Sequence, residues 1–268
     1  MNLLKDLYEN RRLILKLSKN DFKTRYAGSY LGIIWAFVQP IVTILVYWFV
    51  FQKALKVGST KTTSGIDIPY VLWLTTGLVP WFFFSEALNN GTNALIEYNY
   101  LVKKVVFNIS VLPVIKLLSA LLVHVFFVVF TLILFSCYGY FPDLYVLQVV
   151  YYSFALFVLC LAVTYATCSV VIFFRDLTQI ISIVLQVGMW ATPILWNLST
   201  TVPENWQWIF KANPVYYIVK GYRDALIDKQ WFWQDWRLTL YFWAVTLLIY
   251  WVATVIFKRL RPHFADVL

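Results

Sequence analysis

The sequence predicts an all-α, polytopic membrane protein with six transmembrane helices, and two observations carry this prediction. The sixty residues 144–203 contain only two formal charges, Arg175 and Asp176, and 61% of the whole chain is hydrophobic. A hydrocarbon core about 30 Å thick needs roughly 20 apolar residues per helix, and a charge at its centre costs at least ~2.5 kcal/mol. The spans must be helical because lipid offers no partners for free backbone N–H and C=O groups.

Each predicted span is a run of 18 or more residues without a formal charge. The runs are residues 32–51, 68–85, 117–142, 144–174, 177–203 and 238–257. Arg175 and Asp176 separate the fourth run from the fifth, so we expect a turn at a membrane surface there. Six helices account for most of the 268 residues. We therefore expect residues 1–268 to form a single transmembrane domain.

The distribution of Lys and Arg predicts that both termini are cytoplasmic. With six spans, the side that holds the termini carries 14 basic residues and the other side carries 8. Cytoplasmic loops of membrane proteins hold the excess of Lys and Arg. This topology accounts for the formal net charge of +9, so we expect membrane lipids and no nucleic acid among the partners.

Residues 1–29 are predicted to form an amphipathic helix that lies in the membrane interface. On a helical projection one face is apolar and the opposite face is charged, and the apolar face holds Leu3, Leu4, Leu7, Ile14, Leu15 and Leu17. A basic amphipathic helix of this kind lies in the plane of the interface. The alternative is a helix packed on a soluble domain, for which the sequence leaves no room.

Residues 192–236 contain apolar pieces that are too short to span a membrane. We expect short re-entrant or interfacial helices there, before the last span. Five tryptophans crowd this region: Trp206, Trp208, Trp231, Trp233 and Trp236. They form either an aromatic belt at the membrane–water interface or a platform for sugar rings, whose apolar faces suit Trp and Tyr.

Residues 94–108 are predicted to form a cytoplasmic coupling segment. Ile96, Tyr100, Lys103 and Lys104 fall at helical spacing, which gives a short helix with an aromatic side chain and a basic edge. Such a helix can dock in a groove of a partner protein. An ordinary solvated loop helix is the alternative.

The sequence contains no catalytic constellation, no metal-ligand cluster and no phosphate-binding loop of the G-x-x-x-x-G-K-[ST] type. His124 is alone within a predicted span, where a packing role is more common than a proton relay. Few charges lie within the spans, which disfavours ion-coupled transport. The energy for transport is therefore expected from a partner ATPase. An enzyme such as a membrane-embedded glycan acyltransferase would need a polar catalytic cluster, and His124 is isolated.

An ordered set of short motifs covers the whole chain and resembles the ABC-2-type permeases that export lipid-linked cell-surface polysaccharides. The motifs are RYAGSYLGIIW at 25–35 with Pro40, GLVPW at 77–81, NYLVK at 99–103, FRD at 174–176, TPILW at 192–196, and NPVYY at 213–217 followed by Tyr222 and Arg223. Each motif alone is weak, and the ordered set is specific.

The resemblance implies a homodimer in the bacterial inner membrane that works with two copies of a separate ABC ATPase. ATP and Mg would be bound by that ATPase, with no cofactor in this chain. The implied substrate is a polymer on an undecaprenyl diphosphate-type carrier. Residues 231–236 and 264–268 look most similar to wall teichoic acid exporters, and exporters of O-antigen or capsular polysaccharide share much of the same pattern.

Candidate site residues follow from the resemblance and from side-chain chemistry. The ATPase-coupling residues carried over from the family are Glu97, Tyr98, Asn99, Tyr100, Leu101, Val102, Lys103 and Lys104. Arg175 and Asp176 form a second cytoplasmic turn. Lys23 and Arg25 are candidate contacts of the carrier diphosphate, since cations at headgroup level attract phosphate, or else they only anchor the chain. The candidate glycan path consists of Tyr30, Trp35, Trp190, Trp196, Trp206, Trp208, Tyr216 and Tyr217. No catalytic residue and no metal ligand is expected.

Overall fold

The computed structural model describes residues 8–27, 30–56, 60–61, 67–102 and 108–267. It confirms the all-α prediction, apart from a two-residue antiparallel pairing of β1 (Thr60–Lys61) with β2 (Asp67–Ile68). The long helices are α1 (Arg11–Arg25), α2 (Trp35–Trp48), α3 (Tyr70–Thr92), α6 (Leu112–Cys137), α7 (Leu147–Val170), α8 (Leu177–Ala191), α11 (Pro214–Arg223) and α12 (Trp236–Leu260). The short helices are α4 (Ala94–Glu97), α5 (Asn99–Val102), α9 (Leu198–Thr201), α10 (Gln207–Lys211) and α13 (Phe264–Val267).

Tighter and wider turns extend several of these helices. Short 3₁₀ turns cover Gly32–Ile34, Ile109–Val111, Leu144–Val146, Glu204–Trp206 and Arg261–His263. Wider π-helical turns continue α2 through Phe49–Ala54 and α11 through Asp224–Asp228. Including these turns, five helices within the described ranges are long and apolar enough to cross a membrane: Gly32–Ala54, Tyr70–Thr92, Ile109–Cys137, Leu144–Val170 and Trp236–His263. The protein is therefore an integral membrane protein.

The predicted fifth span is shorter than the other five. The apolar run 177–203 forms α8, which has only 15 residues, and then a series of turns. Thr192 ends the helix in an extended conformation (φ −84°, ψ 133°), because the ring of Pro193 disfavours helical geometry in the residue before it. The turn that holds Arg175 and Asp176 joins α7 to α8, as the charge pattern predicted.

Helix α3 forms the centre of the molecule and is the most buried of the five candidate spans. It packs against α6, α7, α8 and α11. Two glycines allow helices to approach α7 closely, because a Cβ at either position would overlap an α7 side chain. Gly91 of α3 lies against Thr164, and Gly221 of α11 lies against Tyr152. Helix α2 has few buried residues, so much of its apolar surface faces outward.

The prediction of short helices before the last span is confirmed by α9, α10 and α11. Asn213 accepts a hydrogen bond from the Val215 backbone N–H (3.0 Å), and Pro214 occupies the first helical position of α11. An Asn cap followed by Pro is a strong helix start, because Pro has no N–H that needs a partner there. Helix α11 then buries one side against α3 and α7.

Candidate functional sites at the two ends of the helix bundle

Five charged side chains meet beside the start of α6, and we call them the Lys116 cluster: Asp21, Arg25, Glu86, Glu97 and Lys116. They come from four different helices, α1, α3, α4 and α6. Lys116 lies in the second turn of α6, before the charge-free run that defined the third predicted span. The helix begins earlier than that run because carboxylates neutralise this lysine.

Asp21 is the centre of the Lys116 cluster, with only 4% of its side chain exposed. Its Oδ1 accepts hydrogen bonds from Lys116 Nζ (2.6 Å) and Tyr98 Oη (2.8 Å), and its Oδ2 pairs with Arg25 Nη2 (3.0 Å). Burial by itself raises the pKa of Asp21, but the hydrogen bond and positive charge of Lys116 outweigh it and hold that pKa below its usual value. Asp21 is therefore a buried carboxylate that stays ionised.

Two further ion pairs connect this centre to other elements. Arg25 pairs with Glu86 of α3 and donates a hydrogen bond to Ser119 Oγ of α6 (3.2 Å). Lys116 also pairs with Glu97, at the end of α4, whose side chain is 50% exposed. The cluster thus links the N-terminal helix, the centre of the bundle and the predicted coupling segment.

The predicted coupling residues divide into buried and exposed groups. Tyr98 points into the Lys116 cluster and Val102 is buried, whereas Glu97, Asn99 and Tyr100 are exposed. Leu101 is half-buried. Lys103 and Lys104 lie outside the described residues. The described part of the segment thus exposes an acidic, a polar and an aromatic side chain. Glu97 and Tyr98 anchor it to the Lys116 cluster through an ion pair and a hydrogen bond.

The structure places Lys23 and Arg25 differently, although only one residue separates them in α1. Lys23 is exposed, whereas Arg25 is held by Glu86 and Asp21. Arg25 also borders a cavity of about 380 Å³ between α2, α3 and α8, together with Trp35 of the predicted glycan path. With three carboxylates and two cations, the Lys116 cluster carries a formal charge of −1, which does not favour a bound diphosphate.

The turn with Arg175 and Asp176 is exposed. Within the described residues, neither side chain has an ion pair. Next to it, Thr178 Oγ1 donates to Asn93 Oδ1 (3.1 Å), which ties the start of α8 to the residue that precedes α4. The second predicted cytoplasmic turn therefore lies beside the start of the predicted coupling segment.

A second polar site lies at the opposite end of the bundle, where α6 ends and α7 begins. Gln148 at the start of α7 bonds the backbone of Gln230 and Phe232 (2.9 and 2.7 Å), which fixes the segment after α11 there. Two adjoining cavities of about 520 and 860 Å³ lie beside this segment. Both are lined by Lys211, Tyr216, Lys220 and Asp235, and we call the joint space the Lys220 cleft.

A lysine bridge forms the floor of the Lys220 cleft. Lys220 Nζ lies 2.6 Å from Asp224 Oδ2 and 2.5 Å from Asp235 Oδ2. Burial raises the pKa of Asp224 to about 6, although Lys220 opposes the shift. Burial also acts to lower the pKa of Lys220, but Asp224 and Asp235 outweigh it and raise that pKa above its usual value. The bridge is ionised at neutral pH.

Arg223 forms the wall between the cleft and the bundle. Its guanidinium lies over the Trp73 ring at 3.6 Å and donates to the backbone oxygens of Pro193 (2.7 Å) and Ile194 (2.9 Å). Burial lowers the pKa of Arg223 to about 9, so it remains protonated at neutral pH. Arg223 thus connects α11 to α3 through Trp73, and to the turn after α8 through the two backbone oxygens.

The structure brings together some residues of the predicted glycan path and separates others. Trp208 and Tyr216 line the Lys220 cleft, and the Trp208 side chain is 67% exposed. Trp196 Nε1 donates to the Trp190 carbonyl oxygen (2.9 Å), and neither residue lines the cleft. Trp206 is exposed without lining either cavity, and Tyr30 lies at the other end of the chain near α2. Tyr217 is buried and stacked on Phe242.

His124 lies in a hydrogen-bonded group inside the bundle. Its Nε2 is 3.0 Å from Tyr222 Oη and 3.2 Å from Ser153 Oγ, and the two hydroxyl oxygens are 2.6 Å apart. These three residues come from α6, α7 and α11. The histidine thus packs against polar partners that hold α11 to two long helices.

Sequence reasoning missed Asp21, Glu86, Lys116, Asp224 and Asp235 as parts of sites. One signal was present: Asp21 with Arg25, and Lys220 with Asp224, are opposite charges four residues apart in helices, which is the spacing of neighbours on one face. The long-range partners carry no such signal, because they meet only after the helices pack.

Comparisons with known proteins agree with the motif pattern. Over 99% of both chains, this protein is 29% identical to the O-antigen export system permease protein RfbA of Myxococcus xanthus. It is 27% identical to a protein of the same name from Klebsiella pneumoniae, over 96% of this chain and 95% of that one. The family and these names indicate the membrane subunit of a transporter rather than an enzyme. Residues 12–227 match the model of the ABC-2 type transporter family, and the chain belongs to that family.

Proposed function

We propose that this chain is the permease subunit of an ATP-driven exporter that moves an O-antigen-type polysaccharide across the cytoplasmic membrane. The observation that carries the proposal is the end-to-end similarity to permeases named for O-antigen export. The preference for wall teichoic acid is not confirmed, and the names of these relatives favour the alternative. Membership of the ABC-2 family implies partnership with an ABC ATPase.

The Lys116 cluster supports a route by which the ATPase acts on the helices. The exposed surface of α4 and α5, with Glu97 and Tyr100, is where the ATPase docks in this proposal. Glu97 is joined through Lys116 to Asp21 of α1, and Arg25 joins α1 to Glu86 of α3. A displacement of α4 would therefore move α1 and the central helix together. ATP binding would favour one of two arrangements of these helices through its greater affinity for that arrangement.

The carrier diphosphate is proposed to reach the same end of the molecule. Lys23 is exposed and is the more accessible of the two predicted contacts. A diphosphate at Arg25 would have to compete with Glu86 and Asp21, which already hold that side chain. Lys23 is therefore the first residue to test, with an uncharged substitution such as Lys23→Gln and a lipid-linked substrate.

Two copies of the chain are proposed to form the transporter, with both termini in the cytoplasm. Helix α8 has a row of exposed apolar residues, namely Ile180, Ile183, Val184 and Val187. At 15 residues it rises about 22 Å, which is short of the ~30 Å hydrocarbon core. In lipid, the polar backbone groups at the ends of α8 would lie within the hydrocarbon core. A second copy packed against α8 would shield these groups from lipid.

Reconstitution tests this function directly. The chain is co-purified with an ABC ATPase encoded in the same genome and placed in proteoliposomes. We expect an undecaprenyl diphosphate-linked O-antigen to stimulate ATP hydrolysis and to be transported, and an ATPase without its catalytic glutamate is the control. Stimulation by a lipid-linked teichoic acid alone would move the assignment to teichoic acid export. Absence of any response to lipid-linked polymers would overturn the proposal.

A further inference from the structure

The Lys220 cleft has the size and position of a ligand site. Its two cavities, about 520 and 860 Å³, fall within the range of ~300–1,000 Å³ that is typical of small-molecule sites. They lie at the end of the bundle opposite the Lys116 cluster, between α10, α11 and the start of α12. Resting on the proposed function, we infer that this cleft binds uncharged sugar residues of the exported glycan.

The first argument is the pairing of exposed aromatic faces with carboxamides. Trp208 and Trp236 border the larger cavity with 67% and 57% of their surface exposed, and Tyr241 lies beside them. Indole and phenol rings combine an apolar face with a polar edge, which matches the apolar face and hydroxyl rim of a sugar ring. The carboxamides that line the two cavities are Asn197, Gln207, Gln230 and Gln234.

Trp73 also borders the smaller cavity, but it does not offer a ring face to a ligand. Arg223 covers one side at 3.6 Å, and the ring of Tyr70 is stacked at 5.7 Å. Its role is to position the Arg223 wall. Arg237 lies on one side of the Trp236 ring, 5.6 Å from its centre, but 57% of this residue is still exposed. Sugar stacking in the cleft is therefore assigned to Trp208 and to the other face of Trp236.

The second argument is the charge balance of the lining. Four basic residues and three acidic residues line the two cavities: Lys211, Lys220, Arg223, Arg237, Asp224, Asp228 and Asp235. Lys220 is neutralised by two carboxylates, and Arg223 is committed to backbone oxygens and Trp73. The other three cations, Lys211, Lys220 and Arg237, balance the three aspartates, so the lining has no excess positive charge to attract an anionic polymer. A phosphate or carboxylate in each unit would also meet aspartates at close range, and like charges at an interface are unfavourable.

Uncharged hydroxyl groups fit the same lining without that repulsion. A sugar hydroxyl donates to a carboxylate or amide oxygen and accepts from an ammonium or amide N–H. The bridge of Lys220 with Asp224 and Asp235 offers both functions within one site. If these tryptophans only formed an aromatic belt at the membrane–water interface, they would not need a lysine and two carboxylates beside them.

A binding experiment with matched probes tests the inference. The chain with its ATPase is placed in lipid nanodiscs, and ligand binding is followed by saturation-transfer NMR. The probes are mannotetraose, which is neutral, and tetragalacturonate, which is also built of four pyranose rings but carries carboxylates. We expect mannotetraose to bind, and tetragalacturonate to give a signal at least tenfold weaker.

Three variants locate the site. Trp208→Ala combined with Trp236→Ala is expected to weaken the mannotetraose signal at least fivefold. Trp251→Ala removes an equally exposed indole from α12 away from the cleft and is expected to change nothing. Asp235→Asn removes one negative charge from an exposed position, so the preference for the neutral probe over the anionic probe should narrow.

The outcomes separate this inference from the proposed function. Equal binding by wild type and the double tryptophan variant, or stronger binding of tetragalacturonate by wild type, would overturn the inference. If wild-type proteoliposomes still transport lipid-linked glycan, the proposed function stands in that case. Cleft-dependent mannotetraose binding without any transport or ATPase stimulation would instead overturn the proposed function.

Discussion

The two ends of the molecule contain the same arrangement, a lysine between a buried and a half-exposed carboxylate. Lys116 bridges Asp21 and Glu97, whose side chains are 4% and 50% exposed, and Lys220 bridges Asp224 and Asp235, at 12% and 51%. They differ in what surrounds the buried carboxylate. Asp21 also accepts a hydrogen bond from Tyr98 and pairs with Arg25, whereas the ion-pair partner of Asp224 within the described residues is Lys220.

The two lysine bridges also differ in the sequence separation of their partners, and this separation indicates a different structural role for each bridge. In the Lys116 cluster three of the four ion pairs join partners 95, 19 and 61 residues apart on separate helices. The fourth, between Asp21 and Arg25, lies within α1. In the Lys220 cleft the partners are 4 and 15 residues apart and lie within one local segment. The first arrangement fixes helices relative to one another, and the second shapes a lined cavity.

Replacing Lys116 should have the largest effect on stability. Lys116→Met leaves the buried Asp21 carboxylate without its main cation, and breaking a buried pair in this way costs about 3–5 kcal/mol. We expect a clearly lower midpoint of thermal unfolding in detergent. The double variant with Asp21→Asn removes the uncompensated charge and should recover part of the loss. An unchanged midpoint in Lys116→Met would mean that the cluster does not hold the helices together.

Placing a methyl group at Gly221 should have the next largest effect. In Gly221→Ala the new Cβ overlaps the ring of Tyr152, and overpacking of this kind costs about 1–3 kcal/mol. Unfolding midpoints compare this variant with Gly188→Ala, where the nearest atom, of Trp81, is 3.0 Å from the new Cβ and a smaller loss is expected. A shortened ring partner, Tyr152→Leu, should relieve the clash. Failure of that rescue would argue against a close approach of α11 to α7.

Replacing Lys220 should cost less stability than replacing Lys116. The Lys220 side chain is 28% exposed, so water screens the charges, and we expect Lys220→Met to lower stability by about 1 kcal/mol, near the value for partly exposed pairs. Thermal unfolding of the two lysine variants, measured side by side, provides the comparison. Equal losses would remove the distinction between the two sites.

As the pH falls from 7, the protonation of Asp224 should affect stability before the protonation of Asp21 does. Burial raises the pKa of Asp224 to about 6 from 3.8, so the folded state binds a proton that the unfolded state lacks between about pH 4 and 6. This contribution makes the protein more stable as the pH falls from 7 to 5. The pKa of Asp21 is lowered, so its contribution is lost only at pH values below the ordinary Asp pKa.

Unfolding midpoints at pH 7 and pH 5 check this assignment. We expect the gain at pH 5 to be smaller in Asp224→Asn than in wild type, because the amide does not titrate. Asp235→Asn serves as the matched control, since it alters the other carboxylate of the same bridge. The same gain in wild type and Asp224→Asn would assign the effect to another group.

The helical spans were predictable because lipid imposes one rule on every residue that faces it. A run such as 144–174 has no charge, and it forms a long helix as expected. The start of α6 was not predictable in the same way, because Lys116 belongs to the helix only when Asp21 and Glu97 are packed beside it. The end of α8 at Thr192 could have been read from Pro193, since that local rule needs no tertiary contact.

The candidate sites were predictable only in part. Trp208 belongs to the tryptophan-rich part of residues 192–236 and Tyr216 to the NPVYY motif, and both border the Lys220 cleft. Tyr217 looked equivalent in the sequence, but the helical turn of α11 directs it into the interior against Phe242. The preference for teichoic acid rests on two short segments, residues 231–236 and 264–268, and the names of the relatives matched over the whole chain do not confirm it.

The shortness of α8 has a consequence for the surrounding bilayer. Its 15 residues leave a hydrophobic mismatch of several ångströms against a hydrocarbon core of ~30 Å. A membrane accommodates such a deficit by local thinning, at a fraction of a kcal/mol per ångström. Where lipid rather than a second copy borders α8, the hydrocarbon layer is therefore thinner than it is around the longer spans.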